Sequence, residues 1–179
     1  MSKAKKITCV VTVIIGIVLG TATEYISDAG NPLRFSKAAM EIMGSAESCR
    51  RDPYLCPASV LTQGIGHTGN GVGIAASVTD KQIAKWFAED LIEAQNCIES
   101  NVEKKIGRQI PQGVFDGIGS YIFNTGCTKF RGSTMYQNLL AQDYVAACNQ
   151  LPRWVYGGGK VLPGLVTRRG QEKALCLTM

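Results

Sequence analysis

The apolar positions divide this chain into an uncharged N-terminal run, one glycine-broken region and a series of stretches with helical spacing. Ile7 to Ala22 is a run of sixteen residues without a charge, preceded by Lys3, Lys5 and Lys6 and closed by Glu24. A basic region followed by an apolar one is the order of an export signal. The run falls short of the roughly twenty residues that a spanning helix needs, and Thr12, Gly16, Gly20 and Thr21 weaken it further. Residues 1–24 are therefore read as a signal with weak anchoring power. Gly20-x-Ala22 offers a small-residue cleavage site. The preferred alternative is an uncleaved anchor that later leaves the bilayer, with the Gly16/Gly20 spacing mainly loosening its hold on lipid.

Ser27 to Pro32 is polar and rich in turn formers, which makes residues 25–32 a linker and 33–179 the folded domain. Ser36 is placed to cap a helix carrying Ala39, Ile42 and Met43 at helical spacing, ending between Gly44 and Glu47. Asp52 to Gly73 holds Pro53, Pro57 and five glycines among short apolar stretches, the pattern of a small, tightly turned antiparallel sheet. It is the one region that reads as β. Thr79 with Gln82 forms a capping box that opens a long helix, whose Ile83, Phe87, Leu91, Ala94 and Ile98 share one stripe. Further helices fit Val114–Asn124, Thr134–Leu140, Tyr144–Leu151 and Leu165–Leu177, with turns at Gly126, Gly132 and Gly157 to Gly159. The fold class is α+β and mainly helical, with the long helix suited to joining two lobes.

With 179 residues and 45% hydrophobic content the chain is long enough for one domain with a real core. Nineteen Lys and Arg against fourteen Asp and Glu give a net charge of +5. This surplus is spread along the chain and suits an anionic surface, without a nucleic-acid signature. The seven cysteines lack paired C-x-x-C spacing and there is a single histidine, so neither a metal site nor a cofactor is expected. Disulfides are the better reading, and they agree with an exported chain.

Glu47 is followed by Cys56 after eight intervening residues and by Thr62 after five more. Around them stand Arg50-Arg51-Asp52-Pro53-Tyr54, Cys56-Pro57-Ala58 and Gly64-Ile65-Gly66-His67-Thr68. Downstream come Phe123-Asn124-x-Gly126, Phe130 with Ser133-Thr134, Arg153-Trp154, Leu162-Pro163-Gly164-Leu165 and Arg168-Arg169. Together these resemble the phage-type lysozyme or endolysin family of glycoside hydrolases, over essentially everything after Leu33. The resemblance implies a two-lobed lysozyme-like fold: a small antiparallel sheet lobe and a helical lobe, joined by the long helix, with a sugar-binding cleft between. It also implies hydrolysis of the β-1,4 bond between N-acetylmuramic acid and N-acetylglucosamine in peptidoglycan, by a monomer.

Glycosidic cleavage needs a proton on the leaving oxygen, and a carboxyl at a helix end shielded by apolar neighbours can supply it. In the family pattern that acid is Glu47. Cys56 stands where a second group acts as base or nucleophile, and that choice stays open. Arg50 and Arg51 are near enough in sequence to favour its thiolate. Thr62 would hold the attacking water, and His67 would make a structural pairing with Asp90 on the long helix. Two positions depart from the family: Ser48 replaces a Gly after the acid, and Leu61 replaces a Trp before the Thr. A positive φ at Ser48 would strain that turn by about 1 to 2 kcal/mol.

The sequence looks like the signal-anchor-release subgroup of these endolysins, in which a cysteine sits inside the anchor. Cys49 and Cys56 can close a small loop that removes Cys56 from service. Cys9, once out of the lipid, could attack Cys49 by thiol–disulfide exchange and free Cys56. Cys97, Cys127, Cys148 and Cys176 are then structural, with Cys97–Cys127 and Cys148–Cys176 as the working pairing, although sequence alone leaves connectivity open. Such a protein is tethered to the inner membrane through residues 7–22 and then periplasmic. Other readings of the same residues are a lytic transglycosylase, a catalytically impaired wall-binding relative, and, least favoured, a Cys56/His67 peptidase.

Overall fold

The computed structural model describes residues 7–47, 49–56 and 59–179. Lys3, Lys5 and Lys6, the strain expected at Ser48, and the Pro57-Ala58 part of the motif lie outside the described residues. The first helix, α1 (Val11–Gly20), is apolar all round. One face carries Ile14, Ile15 and Val18 into the core at 0–1% exposure. The opposite face leaves Val13 about half exposed. This helix packs on α2 (Lys37–Ala46) and on the long helix α3 (Asp80–Ile98). The approach to α2 is close, because a Cβ added at Gly44 would stand 2.4 Å from Val11 Cγ1. Among the described residues no helix is long and apolar enough to cross a membrane.

Ser36 caps α2, its hydroxyl accepting from the Ala39 N–H, and the helix ends at Glu47. The chain then turns into a three-stranded antiparallel sheet in the order β1 (Cys49–Leu55), β2 (Leu61–Ile65), β3 (His67–Thr68). Tyr54 lies opposite Thr62, and Thr62 opposite Thr68, so the hairpin stacks these positions across one width of sheet. Pro53 falls in the stretch of β1 where the register shifts. There its missing N–H removes nothing from the ladder. Thr8 adds an isolated bridge to Arg50, tying the segment before α1 to the sheet.

Thr79 caps α3 by accepting from the Gln82 N–H. Ile83, Phe87, Leu91, Ala94 and Ile98 are all buried, as their 3.6-residue spacing requires. The helix continues through a π-turn (Glu99–Glu103) and α4 (Lys104–Ile106), and stops at Gly107 with φ 73°. A left-handed glycine at that position ends a helix without steric cost. The helical lobe follows with α5 (Gln112–Thr125), α6 (Cys127–Arg131), α7 (Thr134–Leu140), α8 (Tyr144–Asn149) and α9 (Pro163–Cys176).

Two features were absent from the sequence reading. The short helix α6 follows Gly126, where only a turn was expected. A second hairpin, β4 (Tyr156–Gly157) with β5 (Lys160–Val161), frames the glycine run. Both are too short to show a period. The eighth helix also ends early, passing at Leu151 into a 3-10 turn that holds Pro152, because proline cannot continue an α-helix. Disulfides join Cys9 to Cys49, Cys97 to Cys127 and Cys148 to Cys176.

Candidate active site

A cavity of about 820 Å³ opens between the sheet and the helical lobe. Glu47, Tyr54, Cys56, Thr62, His67 and Trp86 all line it. Glu47 enters at the C-terminal end of α2, with its backbone N–H still bonded to Met43 O. Its carboxyl lies against the β2–β3 turn, where a Cβ on Gly66 would stand 3.1 Å from Oε2. Gly66 has φ 71°, so glycine meets both the conformation and the close approach.

On the opposite side Arg168 Nη1 donates to Glu47 Oε1 at 2.9 Å. Arg168 is 3% exposed and is itself fixed by Nε to Glu172 Oε1 at 3.0 Å and Nη2 to Ser120 O at 3.2 Å. Arg169 bonds Glu172 Oε2, Asn124 Oδ1 and Trp154 O. Burial pushes the Arg169 guanidinium below its ordinary value, with the Glu172 carboxylate opposing. The Glu47 carboxyl thus ends a buried chain of charge carried by α9.

Cys56 sits just past β1, its N–H bonded to Val60 O at 3.0 Å and its carbonyl accepting from Ser59 N at 2.8 Å. Tyr54, on β1, also lines the cleft. Burial pushes its phenol up, and negative charge at Glu47 and Cys56 adds to that against the pull of Arg50. Thr62 is 2% exposed and donates its hydroxyl to Val60 O at 3.0 Å, which keeps the oxygen's lone pairs for a donor in the cleft.

Arg50 and Arg51, the two cations near Cys56 in sequence, each pair with a carboxylate. Arg50 pairs with Asp52 and lies over the Tyr54 ring, while Arg51 reaches Asp80 at 2.7 Å. His67 Nδ1 lies 3.0 Å from each Asp90 oxygen. The ring stacks on Trp86 with centroids 4.8 Å apart. Burial pulls the imidazole down, but the hydrogen bond to Asp90, its charge, and contributions from Asn70 and Glu89 prevail and leave it above the usual value.

The sequence reading missed Trp86 and Tyr54 as cleft residues, and it missed Glu172 and Ser120 entirely. Trp86 could not be told from a core aromatic by spacing alone. For Glu172 a signal existed: Arg168, Arg169 and Glu172 at i, i+1 and i+4 put three charges on one side of a helix, here the buried side.

A cleft between a small sheet and a helical lobe, with a carboxyl at a helix end facing a hairpin, is the architecture of lysozymes. The family model of phage lysozyme matches residues 44–172, and the chain belongs to that family. It is an endolysin, a glycoside hydrolase of the muramidase type. More particularly, it is similar to the SAR-endolysin of Escherichia phage P1, at 37% identity over 95% of this chain and 91% of the relative. The active form of P1 phage endolysin Lyz superposes with a TM-score of 0.81 at 36% identity, covering 96% of each chain. The secreted inactive form of the same endolysin gives 0.55 at 38% identity, covering 81% of this chain and 96% of that one.

Proposed function

We propose that the chain is exported and hydrolyses the β-1,4 bond between N-acetylmuramic acid and N-acetylglucosamine of peptidoglycan, acting as a monomer after release from the inner membrane. The observation that carries this reading is Glu47, held by Arg168 on one wall of a cleft whose other wall presents Cys56 and Thr62. Glu47 protonates the leaving oxygen. Cys56 supplies the second group, and Thr62 orients water. His67 with Asp90 braces the sheet against α3 and does not take part in proton transfer.

Residues 1–24 serve as the signal-anchor, 25–32 as linker and 33–179 as the catalytic domain. A helix as marginal as α1 has two places for its apolar face: the bilayer, or the domain core that takes Ile14, Ile15 and Val18. Leaving lipid is offset by burial in that core. The Cys9–Cys49 bond belongs to the second state, and while Cys49 is bonded to Cys9 it cannot close a loop with Cys56. The greater likeness to the active form of the P1 endolysin than to its secreted inactive form supports this order of events.

Purified full-length protein should clear peptidoglycan suspensions and liberate reducing ends; anhydro-sugar products would overturn hydrolysis. Cys9→Ser should leave released protein inactive until reductant is added, with Cys49 mapped to Cys56. Full activity of that variant without reductant would sink the switch.

A further inference from the structure

Arg168 (3% exposed), Arg169 (1%) and Glu172 (0%) are buried on one face of α9. Two guanidiniums therefore share one fully buried carboxylate. Glu172 divides itself between them, Oε1 accepting from Arg168 Nε and from the Ser120 hydroxyl at 2.7 Å, and Oε2 accepting from Arg169. The second negative charge of the cluster is Glu47, 26% exposed at the side chain. With Glu47 ionised the four charges cancel. With Glu47 protonated a net positive charge remains, met among the described residues by the neutral oxygens of Ser120, Trp154 and Asn124.

We propose that Glu172, which no substrate can touch, is a positioning residue: by drawing on Arg168 from behind, it limits that arginine's grip on Glu47 and sets the upper pH limit of the reaction. This rests on the reading of Glu47 as the acid. In a buried cluster Coulomb interactions are weakly screened, so one charge placed behind Arg168 is felt in front of it. Among the described residues, the groups that face Glu47 are Arg168 from α9 and, from the sheet, Tyr54 and Cys56. Those that face Glu172 are Arg168 and Arg169 on its own helix and Ser120 and Tyr121 on α5. Glu172 is thus the one negative charge opposing both guanidiniums on the side away from the cleft among these groups. Its geometry also lets the acid move: when Glu47 turns to a substrate oxygen, Arg168 keeps its bonds to Glu172 and Ser120.

The test is the pH dependence of peptidoglycan hydrolysis by the full chain with its disulfides intact. An acid that must be protonated governs the alkaline limb. Glu172→Gln should move that limb down by about half to one pH unit, since Arg168 then pulls harder on Glu47. Arg169→Gln should move it up by a similar amount, because Glu172 then serves Arg168 alone. Glu172→Asp keeps the charge, so its limb should stay near the parent's even if its melting temperature falls. If Glu172→Gln does not fold, Arg169→Gln and the double variant Arg169→Gln/Glu172→Gln decide. The double variant loses one charge of each sign and should retain the parent limb. Rates that fall at every pH with the limb unmoved would mean a purely structural role and overturn the proposal. Glu47→Gln is the control for the underlying reading. If it remains active the acid assignment fails, whereas an inactive Glu47→Gln with immobile limbs in the other variants sinks only Glu172.

Discussion

The two walls of the cleft are held in place by opposite means. On the helical wall, Glu47 takes its position from Arg168, 121 residues away in the chain, and through it from Glu172 and Ser120 in a dry interior. On the sheet wall, Cys56 and Thr62 both bond Val60 O, four and two residues away, inside one hairpin. The first arrangement needs the whole helical lobe to be assembled. The second needs only the turn chemistry of a short hairpin, with Ser59 at φ 59°. Glu47 is therefore sensitive to charge and packing at a distance, and the groups opposite it to local backbone geometry.

The largest effect should come from the helical wall. Glu47→Gln keeps a hydrogen-bond acceptor for Arg168 but has no proton to give, and should lower muralytic turnover about 1,000-fold with the melting temperature nearly unchanged. On the sheet wall Thr62→Val preserves shape and removes the hydroxyl. Turnover should fall about 10- to 100-fold if that group orients water, and a rate within twofold of the parent would assign Thr62 to the fold alone.

Gly66 is where the walls meet. A methyl group there meets the Glu47 carboxyl at 3.1 Å and also faces a positive φ. Gly66→Ala should destabilise by about 1 to 3 kcal/mol in denaturant titrations and lower activity as well. Loss of stability without loss of activity would show that the two walls are mechanically independent.

The smallest effect concerns the brace behind the sheet. Because the imidazole of His67 is raised in the folded protein, its pairing with Asp90 stabilises fully below the ordinary histidine value of about 6.5. That contribution is lost as pH rises through the raised native value. Asp90→Asn should therefore be less stable than the parent by about 1 kcal/mol at mildly acidic pH, with the gap narrowing in alkaline buffer. A gap that is constant with pH would rule out a charged pair.

Most of the architecture was legible in the chain. Ser36 and Thr79 announce their helices by a hydroxyl three residues ahead of a free N–H, and α7 runs from Thr134 to Leu140 as its spacing indicates. Proline and glycine density marks the sheet, and the lysozyme motif puts Glu47, Cys56 and Thr62 in order. The parts that were not legible are those without a period of their own. The helix α6 and the hairpin at Tyr156 are five residues and two pairs of residues long, too short for a stripe or an alternation.

Local pattern determined the elements and their caps, because each depends on residues within a turn or two, and the resemblance of the motifs to phage lysozymes pointed to the candidate groups. Only the folded chain decided how those groups are held. That Gly44 receives Val11, that Arg50 and Arg51 pair with Asp52 and Asp80, and that Glu172 stands behind Arg168 are all facts about which surfaces meet. Such pairings come from burying apolar faces together and finding partners for every charge buried with them.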